Sequence, residues 1–159
     1  MTPQSLFPDL LPTLEERVRR IDDEILWLLA GKSGGPLNLT LSADEKRVLS
    51  LVRYRRGASR SLTIREMREQ MPPEEQISDR NIKKAVRSLR LQFHLPIGSS
   101  KLASEGGYFV IVTDEDRAIF RGGVLDQIKA ELEVLRSVDG NQAALELLGQ
   151  LSMQLGGSL

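Results

Sequence analysis

The sequence has no cysteine and a single histidine, His94. The first absence excludes disulfides, thiolate nucleophiles and cysteine-ligated zinc together. The second leaves His94 without a partner for an ordinary zinc site or for a Ser-His or Cys-His pair. Aromatics make up only 4% of the chain, with one tryptophan, Trp27. No apolar run approaches the length of a membrane span. The first residues, MTPQSLFPDLLP, lack the basic and apolar segments of a secretory signal. These absences lead us to expect a soluble cytoplasmic protein without metal or cofactor. Carboxylates are plentiful but sit at helix starts or beside basic residues, and no catalytic constellation emerges, so the chain reads as a non-enzyme.

What is present is a core and an uneven charge. The 159 residues are 40% apolar, enough for one ordinary domain with helical additions. The 22 Lys and Arg balance the 22 Asp and Glu, yet the balance is not local. Residues 1–52 carry six basic and eight acidic side chains, residues 53–101 carry twelve and five, and residues 102–159 carry four and nine. A cationic middle third inside a neutral chain suggests an anionic partner; a solvated helix face accounts for the same charge equally well. Within Ser78–Lys101, Asp79 is the only acid against six Lys and Arg.

Periodicity divides the chain into helices. Leu14, Val18, Ile21, Ile25 and Leu28 recur at helical steps after a capping box formed by Thr13 and Glu16, and the helix should close at the Gly-rich GKSGGP linker. Trp27 beside this stripe reads as a packing or interface anchor. The tract AGKSGG is not a phosphate loop: Leu26 stands where that motif needs glycine, and the tract ends a helix instead of opening one. Ser42 with Glu45 caps a second helix that should run to Gly57 with Val48, Leu49 and Val52 inward. In ASRSL, Leu62 faces inward and the segment can pair as a strand. Thr63 with Glu66 caps a short helix ended by the two prolines of MPPEEQ.

Ser78 caps the next helix, whose inward positions are Ile82, Ala85, Val86, Leu89 and Phe93. A short strand at Leu95-Pro96-Ile97-Gly98, a loop from Ser99 to Glu105 and a β-rich run Tyr108–Val112 follow. Thr113-Asp114-Glu115-Asp116 opens a helix that can kink at Gly122-Gly123. Leu125, Ile128, Leu132 and Leu135 then recur at helical steps, and Asn141 caps a last helix bearing Leu145, Leu148, Leu151 and Leu155.

The run ISDRNIKKAVRSLR, followed by LPIGS, a loop and GGYFVIV, resembles the winged helix-turn-helix modules of bacterial regulators and phage proteins, those of biotin-repressor type above all. The resemblance covers roughly residues 42–113 and departs in one place: the turn from Met71 to Ser78 is longer than the usual three or four residues. It implies an α+β fold, mainly helical with a β-hairpin wing, in three parts: an arm and helix at 1–40, the winged helix-turn-helix at 41–113 and a helical tail at 114–159. It further implies a sequence-specific double-stranded DNA-binding protein, a transcriptional regulator or phage or plasmid control protein. The recognition helix would be about 79–93, and the wing, about 96–112, would lie on the backbone or minor groove.

On the outward face of that helix, Arg80, Asn81, Lys84 and Arg87 are the candidate base readers, because Arg suits guanine and Asn suits adenine. Arg60, Arg65, Arg68, Ser78, Lys83, Ser99, Ser100 and Lys101 are candidates for phosphate or wing contacts. Arg87 and Arg90 have a plainer alternative, pairing with Glu66 or Glu69. The stripes at 14–28 (Leu14, Val18, Ile21, Ile25, Leu28) and 125–135 (Leu125, Ile128, Leu132, Leu135) need cover. Either they pack within the chain or they build a homodimer, the preferred reading, since two half-sites sharpen recognition. The acidic tail can also meet a protein partner or fold over the basic surface. A winged-helix adaptor for protein-protein contacts is the alternative function.

Overall fold

A computed structural model describes residues 13–101 and 106–156. Among them the chain is mainly helical with one small antiparallel sheet. In order come α1 (Leu14–Leu29), α2 (Ala43–Val52), α3 (Ile64–Gln70), α4 (Asp79–Leu91), β1 (Ile97–Ser100), β2 (Gly107–Val110), α5 (Asp114–Asp139) and α6 (Asn141–Gly156). Short 3₁₀ turns stand at Ala58–Arg60 and Pro73–Glu75. No helix among these residues is long and apolar enough to cross a membrane. The chain divides into two compact units, the first ending at Phe120 and the second starting at Arg121.

The helix starts follow the local text. Thr13 with Glu16, Ser42 with Glu45 and Thr63 with Glu66 all form reciprocal capping boxes, in which the hydroxyl accepts from the third helical N–H and the Glu carboxylate accepts from the cap N–H. Ser78 caps α4 by accepting from Asn81 N at 3.2 Å. Between α3 and α4 the long turn is held by Met71, buried, and by Gln76 Nε2, which donates to Arg68 O at 3.2 Å.

One core joins most of the first unit. Ile25 and Leu28 of α1, Val48, Leu49 and Val52 of α2, Met67 of α3, and Ile82, Ala85, Val86 and Leu89 of α4 pack together with Ile97 and Val110 of the sheet. This corrects two expectations. The α1 stripe does not wait for a second molecule: Ile25 and Leu28 are fully buried, Ile21 packs against the same core, Val18 is half-buried, and only Leu14 is largely exposed. Nor is 1–40 a part separate from 41–113, because α1 closes the core that α2 and α4 open.

The sheet also departs from expectation in the extent of its first strand. β1 begins at Ile97 and includes Ser99 and Ser100, pairing Ile97 with Val110, Gly98 with Phe109, Ser99 with Tyr108 and Ser100 with Gly107. Ser99 and Ser100 are therefore strand residues and not loop residues. Leu62 adds a single antiparallel bridge to Tyr108, its N–H donating to Tyr108 O at 2.8 Å and its carbonyl accepting from Tyr108 N at 2.9 Å. α2 stops at Val52, short of Gly57, which instead takes a left-handed φ of +88° before the 3₁₀ turn. Gly98 is needed for packing: a Cβ there would lie 2.6 Å from Cζ of Phe109.

α5 begins in the first unit with a buried carboxylate. Asp116 accepts from the backbone N–H groups of Ala58 (3.0 Å), Val112 (3.1 Å) and Thr113 (3.1 Å), tying the helix start to the 3₁₀ turn and the strand end. The helix passes through Gly122-Gly123 without a break. In the second unit α5 and α6 are joined at Gly140, φ +87°. The Asn141 side chain accepts from Arg136 Nε at 2.7 Å, bracing the turn.

Candidate nucleic-acid interface

The exposed face of α4 is built by the same periodicity that builds its buried face. With Ile82, Ala85, Val86 and Leu89 inward, Arg80, Lys84, Arg87 and Leu91 recur at steps of four, three and four on the opposite side, all exposed. Lys83 stands on the flank towards the sheet and Asn81 on the flank towards α2, both exposed. Among the described residues, Arg80, Lys83, Lys84 and Arg87 take part in no ion pair or hydrogen bond through their charged groups. The alternative pairing of Arg87 and Arg90 with Glu66 or Glu69 is not made. Glu66 is spent on its cap at Thr63, whose backbone and hydroxyl contacts hold its carboxyl below the usual range. Glu69 holds Arg65 at 3.1 Å.

Two clefts border the helix. A groove of about 520 Å³ between the start of α2 and α4 is lined by Asn81, Lys84, Arg87 and Ser88 together with Asp44 and Glu45. Ser88 Oγ donates to Glu45 Oε1 at 2.6 Å, fixing the two helices at that edge. Asn81 thus faces a mixed, partly acidic edge, while the outermost row belongs to Arg80, Lys84 and Arg87. On the other flank a cleft of about 360 Å³ is lined by Arg65, Lys83, Asp79, Gly106, Gly107 and Tyr108. It brings Lys83, backbone of β2 and the start of α3 to one place.

The other expected residues divide. Arg60 and Lys101 are exposed. Arg65 and Arg68 are exposed but engaged, Arg68 with Asp79 at 3.2 Å across the turn between α3 and α4. Ser100 is buried and Ser99 half-buried, so Ser100 is removed from the set of surface contacts: its strand position turns it inward. The tip of the expected wing, 102–105, lies outside the described residues.

Arg90 plays a part that counting charges did not reveal. Its Nε donates to Ile97 O at 2.7 Å, and its guanidinium lies 5.6 Å from the Tyr108 ring centre and 5.1 Å from that of Phe120. It tethers α4 to the hairpin from within and adds nothing to the outer face. Burial depresses its proton affinity, and burial raises that of the Tyr108 phenol, with the nearby guanidinium pulling the latter partly back. The available signal was its place beside Leu89, on the inward half of the helix. No family model, curated protein or solved structure matches the chain.

Proposed function

We propose that the first unit is a double-stranded DNA-binding module that lays α4 in the major groove, with the β1–β2 hairpin beside it on the backbone or minor groove. The fold this implies is a winged helix-turn-helix, and the role that fits is sequence-specific control: a transcriptional regulator or a phage or plasmid control protein. The observation that carries the reading is the outer row Arg80, Lys84 and Arg87, with Lys83 on its flank, exposed and without partners among the described residues. Cations left free on a well-anchored helix displace counterions from phosphates, and the same side chains can bond base edges. The tether at Arg90 supports it, because it joins the hairpin to α4, and the bridge between Leu62 and Tyr108 joins the same hairpin to the segment before α3.

Binding to random duplex followed by selection of enriched sequences tests the proposal. If about five phosphates are neutralised, the log–log salt slope should be roughly −4.5. Lys83→Ala should weaken every sequence alike and make the slope shallower by about 0.9. Arg87→Ala should cost about 1–3 kcal/mol and blur preference at one base position. Equal affinity of the wild type and both variants for a selected site would overturn the assignment. The adaptor reading draws on the acids Asp44 and Glu45 at the edge of the same face; failure of selection to enrich any sequence, with weak and uniform binding, is the outcome it expects.

A further inference from the structure

We propose that the α5–α6 hairpin of the second unit is a self-association surface, and that its occupant is the same hairpin of a second copy of this chain. The starting point is α6. Its sixteen residues, NQAALELLGQLSMQLG, contain one ionisable side chain, Glu146. On a helix, Ala144, Leu148, Leu151 and Leu155 fall on one side at steps of four, three and four, with Leu147 alongside. Only the first position of this row is covered within the unit: Ala144 is buried, whereas Leu148, Leu151 and Leu155 are 42%, 42% and 69% exposed. The row starts in a groove of about 460 Å³ shared with Leu132 and Arg136 of α5 and then runs on bare. On α5, Leu125 and Ile128 are bare as well.

A stripe that begins as an interhelical contact and continues uncovered is the shape another helix fits, laid along the same row. Area and charge select a second copy. Ten exposed Leu, Ile and Val side chains of α5 and α6 from Val124 onwards, each offering on the order of 50 Å² of apolar area, give about 500 Å² per protomer. At the roughly 65% apolar share of homodimer interfaces this corresponds to about 800 Å² per partner, the size of a stable complex. In a two-fold contact the same patch meets itself, so every charge on it faces a like charge nearby. The row Leu148, Leu151 and Leu155 carries no charge and suffers no such repulsion, whereas Lys129, Glu133 and Arg136 of α5 line the groove where it starts. Two hairpins so joined form a four-helix bundle.

The expectation of a dimer at both 14–28 and 125–155 is thereby narrowed to the second unit. The inference is independent of the DNA reading, since it is tested without DNA. Light scattering or sedimentation on the full chain at micromolar concentration should give twice the chain mass of 17.8 kDa. Leu151→Glu and Leu155→Glu should each raise the dissociation constant at least about 100-fold, equivalent to about 2.7 kcal/mol. Their Trp27 fluorescence, which reports the first unit, should be unchanged. Met153→Glu, 73% exposed on the opposite side of α6, should leave the dimer intact. A monomeric wild type, as expected if another protein or a lipid surface covers the stripe, would overturn the proposal. So would assemblies that grow with concentration beyond two chains, or a Met153→Glu variant that dissociates as readily as Leu151→Glu.

Discussion

The helices α1 and α6 carry apolar rows of the same period and meet opposite fates. Both are sixteen residues long and both place apolar residues three and four apart. In α1 the row ends at Ile25 and Leu28, 2% and 0% exposed in the core of the first unit; in α6 the row ends at Leu155, 69% exposed. The difference lies outside the stripes. α1 surrounds its row with Glu15, Arg19, Arg20, Asp23 and Glu24, which are content in water on the far side. Its own chain supplies α2 and α4 for the near side. α6 has almost no charged side to present and only the first turn of its row covered. Periodicity therefore names a face, and composition around the face tells whether water is acceptable on the rest.

The largest expected effect tests that contrast directly. Leu28→Ala removes a fully buried side chain from a core shared by four helices and the sheet, and should lower the stability of the first unit by about 2–5 kcal/mol. Leu151→Ala, at an exposed position of the second unit, should move the same transition by no more than about 0.5 kcal/mol. Denaturant unfolding followed by Trp27 fluorescence, with a slope common to all variants, measures both. Equal losses would break the comparison.

Much of the first unit was legible because its signals are local. The three capping boxes and the Ser78 cap need only residues three apart, and each formed where the text placed it. The outer row of α4 was legible for the same reason: once Ile82, Val86 and Leu89 are inward, Arg80, Lys84 and Arg87 have nowhere else to go. The misreadings that bear on the site involve partners beyond the local helix turn. Ile25 and Leu28 found α2 and α4, which a stripe cannot announce. Ser100 was given to a loop because turn composition resembles the end of a short strand, and its pairing with Gly107 crosses the hairpin. Arg90 was given a possible carboxylate partner and Arg68 a phosphate, yet the one reaches Ile97 O and the other Asp79, eleven residues away across the long turn. Charge counting sees cations; it does not see which of them the fold has already engaged.

Asp116 sharpens the same lesson from the acidic side. Its neighbours Asp114 and Glu115 are exposed, as residues at a helix start usually are, but Asp116 is buried. Burial alone would raise its carboxyl, but the N–H groups of Ala58, Val112 and Thr113 and the Thr113 hydroxyl outweigh it and hold the group below its ordinary value of 3.8. A carboxyl depressed on folding contributes stability above its unfolded value, and loses it as pH falls through the lower folded value. Asp116→Asn should therefore cost about 1.5–3 kcal/mol at neutral pH, in the first unit alone, and the gap to wild type should narrow in strong acid below about pH 4. A gap constant with pH would mean that the side chain acts by shape and not by charge. The dimer proposed for α5–α6 should keep its mass at neutral pH in this variant.

The smallest effect concerns the surface on which the first unit differs most from the second, charge where the other has leucine. Asp79 and Arg68 are about half exposed, and a pair of that kind contributes about 0–1 kcal/mol to stability. Asp79 also lies in the first turn of α4, where a negative charge favours the helix by about 0.3–1 kcal/mol. Asp79→Asn should accordingly lower stability by about 0.3–2 kcal/mol. Its effect on DNA should have the opposite sign. The change removes an acid beside Lys83 and releases Arg68, so binding to random duplex should tighten and the salt slope should steepen by about 0.9. Salt itself separates the two regions: raising it should weaken the α4 interaction while leaving the apolar association of α6 undiminished. If Asp79→Asn leaves the slope where it was, Arg68 does not come within reach of phosphate, and the bound surface is confined to α4 and the hairpin.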